Sequence, residues 1–515
     1  MTAKALTTAA GDPTRPQYHF SAPANWINDP NGLVYYDGEY HLFYQYHPGG
    51  YAVGELYADP LRWGPMHWGH AVSTDLVHWQ HLPVALTPDS APGAAPVRGM
   101  AFSGSAVVDW NDSAGLRRGS EPALVAIYTL ADSEGGEAQR QAIAWSEDRG
   151  RSWTKYAGNP VLPNPGIPDF RDPKVFWHAP SGRWVMVLAA GPCMQIHTSP
   201  DLRRWTHASD FTVDQGIDGA PWECPDLFEL PVENAPGERR WVMLVSMVGH
   251  GILGGGWNTQ YFVGDFDGER FVPEAPQGPL LWLDHGRDHY AGVTWNEHPG
   301  NDHERVLIGW MSNWGYEQAV PATTFRNAMT LPRVLRLRRC ADGIRLFSRP
   351  LPALAGLRAP VPLCHAADVR VTPGCTLLDG LREDCVEIVA EFALDADTGA
   401  TGFGLRLRQG PGTELVVGYD VATAEVFVDR SRAGYAFPGD DGRRHPAPLA
   451  AEDGRIRLHV FLDRASVEVF ANDGAVTLTD SFFTAPDALG MALYADGGEV
   501  RLLSLDIHAL GSIHG

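Results

Sequence analysis

A chain of 515 residues exceeds what one hydrophobic core ordinarily holds, so two domains are the expectation. Its 44% hydrophobic and 20% charged residues exclude the disordered class, and no apolar run is long enough for a membrane-spanning helix. With 62 acidic against 40 basic side chains the net charge is −22, which argues against nucleic acid as a partner and suits a neutral substrate.

Along the chain, Met1 to Gln17 are small and polar with no sustained apolar stretch, a poor signal peptide. The expectation is a cytoplasmic protein with no membrane partner, or a secreted one if a leader has been removed. Next comes Leu33–Tyr36, an Asp37-Gly38 turn and Tyr40–Tyr46, a predicted β-hairpin. Four more strand–turn–strand units follow, beginning near Phe102, at Lys174, at Leu227 and at Tyr290. Between them, Ser73-Thr74-Asp75-Leu76-Val77-His78-Trp79 and Ser199-Pro200-Asp201-Leu202-Arg203-Arg204-Trp205 share one pattern, and Ser146 to Trp153 repeats it with an extra residue. Ser and Asp close turns through side-chain-to-backbone hydrogen bonds, so these segments are read as structural punctuation. Five repeats of small antiparallel sheets predict a five-bladed β-propeller over residues 16–345.

Near residues 335–360 the pattern changes. Residues 346–362 read as a linker, and the alternating short strands of 363–515 predict a β-sandwich. No long amphipathic helix is visible, so the fold class is all-β. The six cysteines show no zinc-type spacing and are read as free, mostly buried thiols. His67 and His70 would face opposite sides of a strand, so no metal site is expected.

Three segments pair a carboxylate with a proline: Trp26-Ile27-Asn28-Asp29-Pro30, Phe170-Arg171-Asp172-Pro173 and Trp222-Glu223-Cys224-Pro225. Proline holds the preceding residue extended and sits comfortably at a strand start, so these acids are predicted at strand mouths. Glycosidic cleavage needs two carboxyl groups flanking an anomeric carbon, and a repeated fold brings several to one axis. Asp29 and Asp172 directly precede Pro, whereas Glu223 stands one residue earlier, in register with Asn28 and Arg171. Alternation would send the two registers to opposite faces, so the backbone is expected to leave regular strand geometry there.

These segments, with Phe102–Ser105, Phe43-Tyr44-Gln45-Tyr46, Met66–Ala71, Ile308–Trp314 and Val460–Asn472, resemble the signature blocks of glycoside hydrolase family 32, the β-fructofuranosidases. The family's five-bladed propeller and β-sandwich agree with the architecture above. The resemblance implies an exo-acting retaining β-fructosidase that takes sucrose or a fructan (levan, inulin), needs no cofactor, and is a monomer or homodimer. It implies Asp29 as nucleophile, Glu223 as acid/base and Asp172 as transition-state stabiliser. Trp222 and Cys224 would surround Glu223 with apolar groups, and Arg171 would help keep Asp172 charged. Asn28, Gln45, Trp63, Phe102, Ser103 and Arg171 match positions lining the fructose pocket. Trp68 and Trp314, with Trp26, are candidate aromatic walls, although single aromatics serve equally as core.

A fructosyltransferase would use the same intermediate and the same three acids. A non-catalytic fructan-binding protein is the reading that complete retention of those acids disfavours. The chain departs from the family at His47-Pro48, where Asn-Pro is common, and at Phe325-Arg326, where Trp-Arg is frequent. Gly49–Arg62 is a longer segment than usual and bears on substrate preference.

Overall fold

The predicted hairpins close into antiparallel sheets stacked in chain order. A computed structural model describes residues 12–514 apart from 53–54, 135–138, 214–219, 249–256, 277, 322, 396–397 and 441–443. Among the described residues the first 350 form five sheets, each starting with a strand we call inner: Asn25–Tyr36, Met100–Asp109, Phe170–His178, Trp222–Pro231 and Tyr290–Thr294. Every inner strand contacts the next, and the fifth contacts the first, so the five form a closed ring. A parallel bridge between Val34 and Asn296 helps to join its ends. Closing a ring leaves no inner strand with an open flank.

Turn chemistry explains the first hairpin. Asp37 (φ 48°) and Gly38 (φ 87°) are both left-handed, as a two-residue hairpin turn requires. The punctuating segments behave as read. Ser73 Oγ accepts from the Asp75 N–H at 3.1 Å and Asp75 Oδ1 from the His78 N–H at 2.8 Å, and likewise Ser199 Oγ accepts from the Asp201 N–H at 3.1 Å and Asp201 Oδ1 from the Arg204 N–H at 2.9 Å. Each segment joins the third strand of a sheet to its fourth.

Residues 335–347 belong to the fifth sheet, where Arg333–Cys340 pairs with Gly343–Pro350. The expected boundary at 345 therefore falls inside a strand, and the expected linker holds the end of that strand and a short 3-10 turn, Pro352–Leu357. Beyond it lie a six-stranded and a five-stranded antiparallel sheet. A core including Val386, Phe392, Phe403, Leu405, Val460 and Leu505 fills the space between their facing sides, as in two packed sheets. No helix among the described residues is long and apolar enough to cross a membrane.

Candidate active site

All five inner strands break register at the same depth. Two residues of the inner strand stand opposite one residue of its neighbour: Asn28–Asp29, Phe102–Ser103, Asp172–Pro173, Cys224–Pro225 and Ala291–Gly292. Such a bulge bends the strand and re-aims its side chains. Asp172 (φ 64°), Cys224 (φ 44°) and Ala291 (φ 53°) take the left-handed conformation that non-glycine residues avoid. Pro173 and Pro225 have no N–H to lose from the interrupted ladder. Below the first bulge, Gly32 (φ 55°) lies where a Cβ would come within 2.5 Å of the Phe43 ring and 2.8 Å of Trp68.

The expected departure from strand geometry is present, but the register differs from the sequence reading. Glu223 precedes its bulge and matches Arg171, Tyr290 and Ile27, not Asn28. Asp172 is the first residue of its bulge, whereas Asp29 is the second of its own, because Pro30 already rejoins the ladder opposite Tyr44. The three carboxylates thus come from three successive register positions. Proline adjacency concealed this, since it reports a restricted backbone and not a pairing partner.

Asp29 Oδ2 accepts a 2.6 Å hydrogen bond from Ser103 Oγ, while Asp29 Oδ1 is buried with no hydrogen-bond partner. Asp172 Oδ2 accepts from the Cys224 N–H at 3.1 Å, and the Cys224 thiol lies 3.6 Å from both Asp29 Oδ2 and Asp172 Oδ2. Glu223 Oε1 accepts from Arg171 at 2.8 Å and Oε2 from the Tyr290 hydroxyl at 2.6 Å. Arg171 also binds Asp169 and brings its Nε to 3.8 Å from Asp172 Oδ2.

Electrostatics follow from burial and crowding of like charge. Burial raises Asp29 above the ordinary carboxylate range and the charge of Glu223 adds to this, against the Ser103 bond. Asp172 is pushed up to about 7, first by burial and then by the Glu223 and Asp29 charges, against Arg171. Burial works against the charge of Arg171, but Glu223, Asp172 and Asp169 outweigh it and hold the guanidinium protonated. Closely coupled acids share protons as a set.

The remaining sequence-predicted residues divide by position. Ser103, Arg171 and Glu223 join Asp29 and Asp172 directly. Asn28 is buried and accepts from Trp26 Nε1 at 2.8 Å. Gln45 does not reach the acids. Its Nε2 donates to the Ala101 carbonyl at 3.0 Å and, at 2.8 Å, to the Asn31 amide oxygen, with the Asn31 amide oriented as its neighbours require; Asn31 then donates to Ser103 Oγ at 3.2 Å. Trp63 meets Phe102 edge-on at 6.1 Å. Trp63 and Trp314 line a cleft of about 650 Å³ with Tyr57, Arg62 and Gln318.

Two expectations need correction. Trp68 has no exposed surface; it packs between Phe43 and Tyr128, and its Nε1 donates to the Phe102 carbonyl at 2.9 Å. Trp26 is equally enclosed. Neither offers a face to a sugar, because strands buried on both sides place aromatics in core at either parity. Trp222 likewise packs into the neighbouring core against Phe211, leaving Cys224 as the apolar-side neighbour of the acids. The departure at His47 has a structural role: its Nδ1 pairs with the Arg62 carbonyl at 2.9 Å and ties down the end of the Gly49–Arg62 segment. Arg326 donates to the carbonyls of Glu317 and Val320. Asn31 and Tyr290 were missed as site residues. Tyr290 had a signal, since it opens the fifth repeat as Glu223 nearly opens the fourth.

The bulges bring three carboxylates together at one end of a closed ring of strands. Residues 19–350 match the glycosyl hydrolases family 32 N-terminal domain and residues 362–509 the family 32 C-terminal domain. The chain belongs to glycosyl hydrolases family 32. It is 49% identical over 504 residues to a levanase of Bacillus subtilis (strain 168), covering 97% of this chain and 71% of that one. A levanase of Bacillus sp. (strain L7) is 39% identical over 97% of this chain, which spans 52% of its length. The crystal structure of an exo-inulinase from Aspergillus awamori superposes with a TM-score of 0.89 at 35% identity, covering 98% of this chain and 99% of that one.

Proposed function

We propose that the chain is a retaining, exo-acting β-fructosidase that hydrolyses terminal β-D-fructofuranosyl residues of levan, inulin or sucrose. The observation that carries this reading is the convergence of Asp29, Asp172 and Glu223 on one bulged mouth with three different sets of partners. The names of the relatives, levanases and an exo-inulinase, support the fructan substrate. The ring of five inner strands supports five propeller blades that end with the strand Gly343–Pro350, with the sandwich at 363–515 as a buttressing domain.

Asp29 attacks the anomeric carbon with its unpartnered Oδ1, which has no hydrogen bond to break first. Glu223 gives its proton to the departing oxygen and then, as carboxylate, takes one from water that releases fructose from Asp29. Arg171 and Tyr290 hold Glu223 in place through both steps. Asp172 stabilises the positive charge on the sugar and accepts from its hydroxyls. Carboxyl groups of Asp29 and Glu223 about 5–5.5 Å apart are what a covalent intermediate requires. Trp63 and Trp314 at the cleft form the rim that receives the next sugar.

The test is a product profile on sucrose, inulin and levan. Free fructose as the first and main product supports an exo-hydrolase. Oligosaccharides that lengthen at high sucrose would reassign the chain as a fructosyltransferase, and no fructose from any of the three would overturn the catalytic reading.

A further inference from the structure

Past the bulges, the axis of the ring is blocked by a buried cluster. Lys174 Nζ donates to Asp226 Oδ2 at 3.1 Å and to the Thr294 carbonyl at 2.7 Å, while Thr294 Oγ1 donates to Asp226 at 2.8 Å. On the side toward Ser103 and Asp172, Lys174 and Thr294 border a small void. On the other side they form the floor of a separate open cavity of about 670 Å³. That volume sits in the middle of the roughly 300–1,000 Å³ range of small-molecule sites.

The cavity walls carry tryptophans, and two of these are among the few large apolar side chains left exposed: Trp110 at 54% and Trp177 at 39%. Both are held in orientation. Trp110 Nε1 donates to Glu297 Oε2 at 3.2 Å, and Trp177 abuts the buried Trp184 at 5.2 Å and 70°. Arg305 lies over the Phe228 ring at 5.7 Å with its Nε buried and lacking a hydrogen-bond partner. Arg305 itself lines the cavity and brings a guanidinium, a multiple hydrogen-bond donor, to its wall. The wall mixes signs: Arg239 pairs with Glu229 at 2.6 Å, and Glu297 stands near Arg305. Donors and acceptors in balance next to flat aromatic faces match hydroxyl groups, which do both, better than an anion or a cation.

We propose that this cavity is a second, non-catalytic site for a short neutral oligosaccharide, stacked on Trp110 and Trp177 and hydrogen-bonded by Arg305 and Glu297. That the oligosaccharide is a fructan rests on the function proposed above. A chain with this site would hold a polymer while its active centre trims free ends.

The experiment uses the full chain carrying Glu223→Gln, titrated calorimetrically with nystose and separately with maltotetraose. Two nystose sites per chain are expected, and adding Trp110→Ala and Trp177→Ala should weaken one of them at least tenfold. The two Trp substitutions in the otherwise native chain should leave kcat/KM on sucrose unchanged, which also reports that the fold is intact. A single nystose site indifferent to both Trp substitutions would overturn the proposal. So would displacement of nystose from the Trp-dependent site by acetate or phosphate. If no fructose is released from any sugar yet maltotetraose binds in a Trp110-dependent manner, the fructosidase reading fails and the carbohydrate site stands.

Discussion

Asp172 shows how the site trades stability for chemistry. Its folded pKa of about 7 lies above the ordinary 3.8, so the folded state binds a proton more tightly than the unfolded chain does. The stability this contributes is complete below about pH 4 and is lost as pH rises through 7. Asp172→Asn removes that loss. The variant should therefore be inactive yet melt higher than the native chain at pH 8, by on the order of 1 kcal/mol or more, with the gap closing toward pH 4. Thermal unfolding at the two pH values checks it. Tyr290 tests the support of Glu223 at the same scale. Tyr290→Phe deletes one hydrogen bond to the carboxyl group that moves the proton, worth about 0.5–1.5 kcal/mol, and should lower kcat on sucrose roughly two- to tenfold with a smaller change in KM. Steady-state kinetics of the variant decide this.

The functional element is the bulge, repeated on every inner strand and used differently on each. Ala291 occupies the left-handed position in the fifth bulge, whose residues carry no acid. The left-handed conformation costs a non-glycine residue about 1–2 kcal/mol, while glycine loses about 0.5–1 kcal/mol more entropy on ordering. Ala291→Gly should thus raise stability slightly, by about 0.5–1 kcal/mol, with sucrose turnover retained; chemical denaturation gives the sign. Hairpins, turns and the five repeats were legible because Asp37-Gly38 and the Ser-x-Asp-Leu segments act locally. The carboxylate–Pro segments located the strand mouths. Their register was not legible, because a bulge is defined by which residues pair across to Tyr44, Val187 or Leu244, and such pairing is non-local. Trp68 was misplaced for a related reason: a strand buried on both faces gives no alternation from which to tell wall from core.

The two halves of the molecule are joined by buried charge. Arg333 of the fifth sheet binds Asp284 at 2.8 Å and reaches Glu468 and Thr479 of the sandwich at 2.5 Å, with no exposure. His19 sits between Asp463 at 2.8 Å and Glu468 at 3.0 Å. Burial opposes its charge, but those two carboxylates raise it to about 9. The folded value lies above the ordinary 6.5, so this contribution is complete below about pH 6.5 and is lost as pH rises through 9. Arg333→Met removes the central cation and leaves its carboxylates under-compensated, at about 3–5 kcal/mol. Its denaturation midpoint should fall well below that of the native chain, and the native chain itself should loosen between pH 7 and 10. Calorimetry across that range tests both.

The central claim is that Asp29 becomes covalently fructosylated while Glu223 moves the proton. In Glu223→Gln, a fructoside with a good leaving group no longer needs the acid to form the intermediate but lacks the base that releases it. Mass spectrometry of the protein quenched during turnover should then find one fructosyl unit on the peptide containing Asp29, and none after Asp29→Asn. An adduct on another residue, or steady turnover by Glu223→Gln with no adduct, would contradict the assignment.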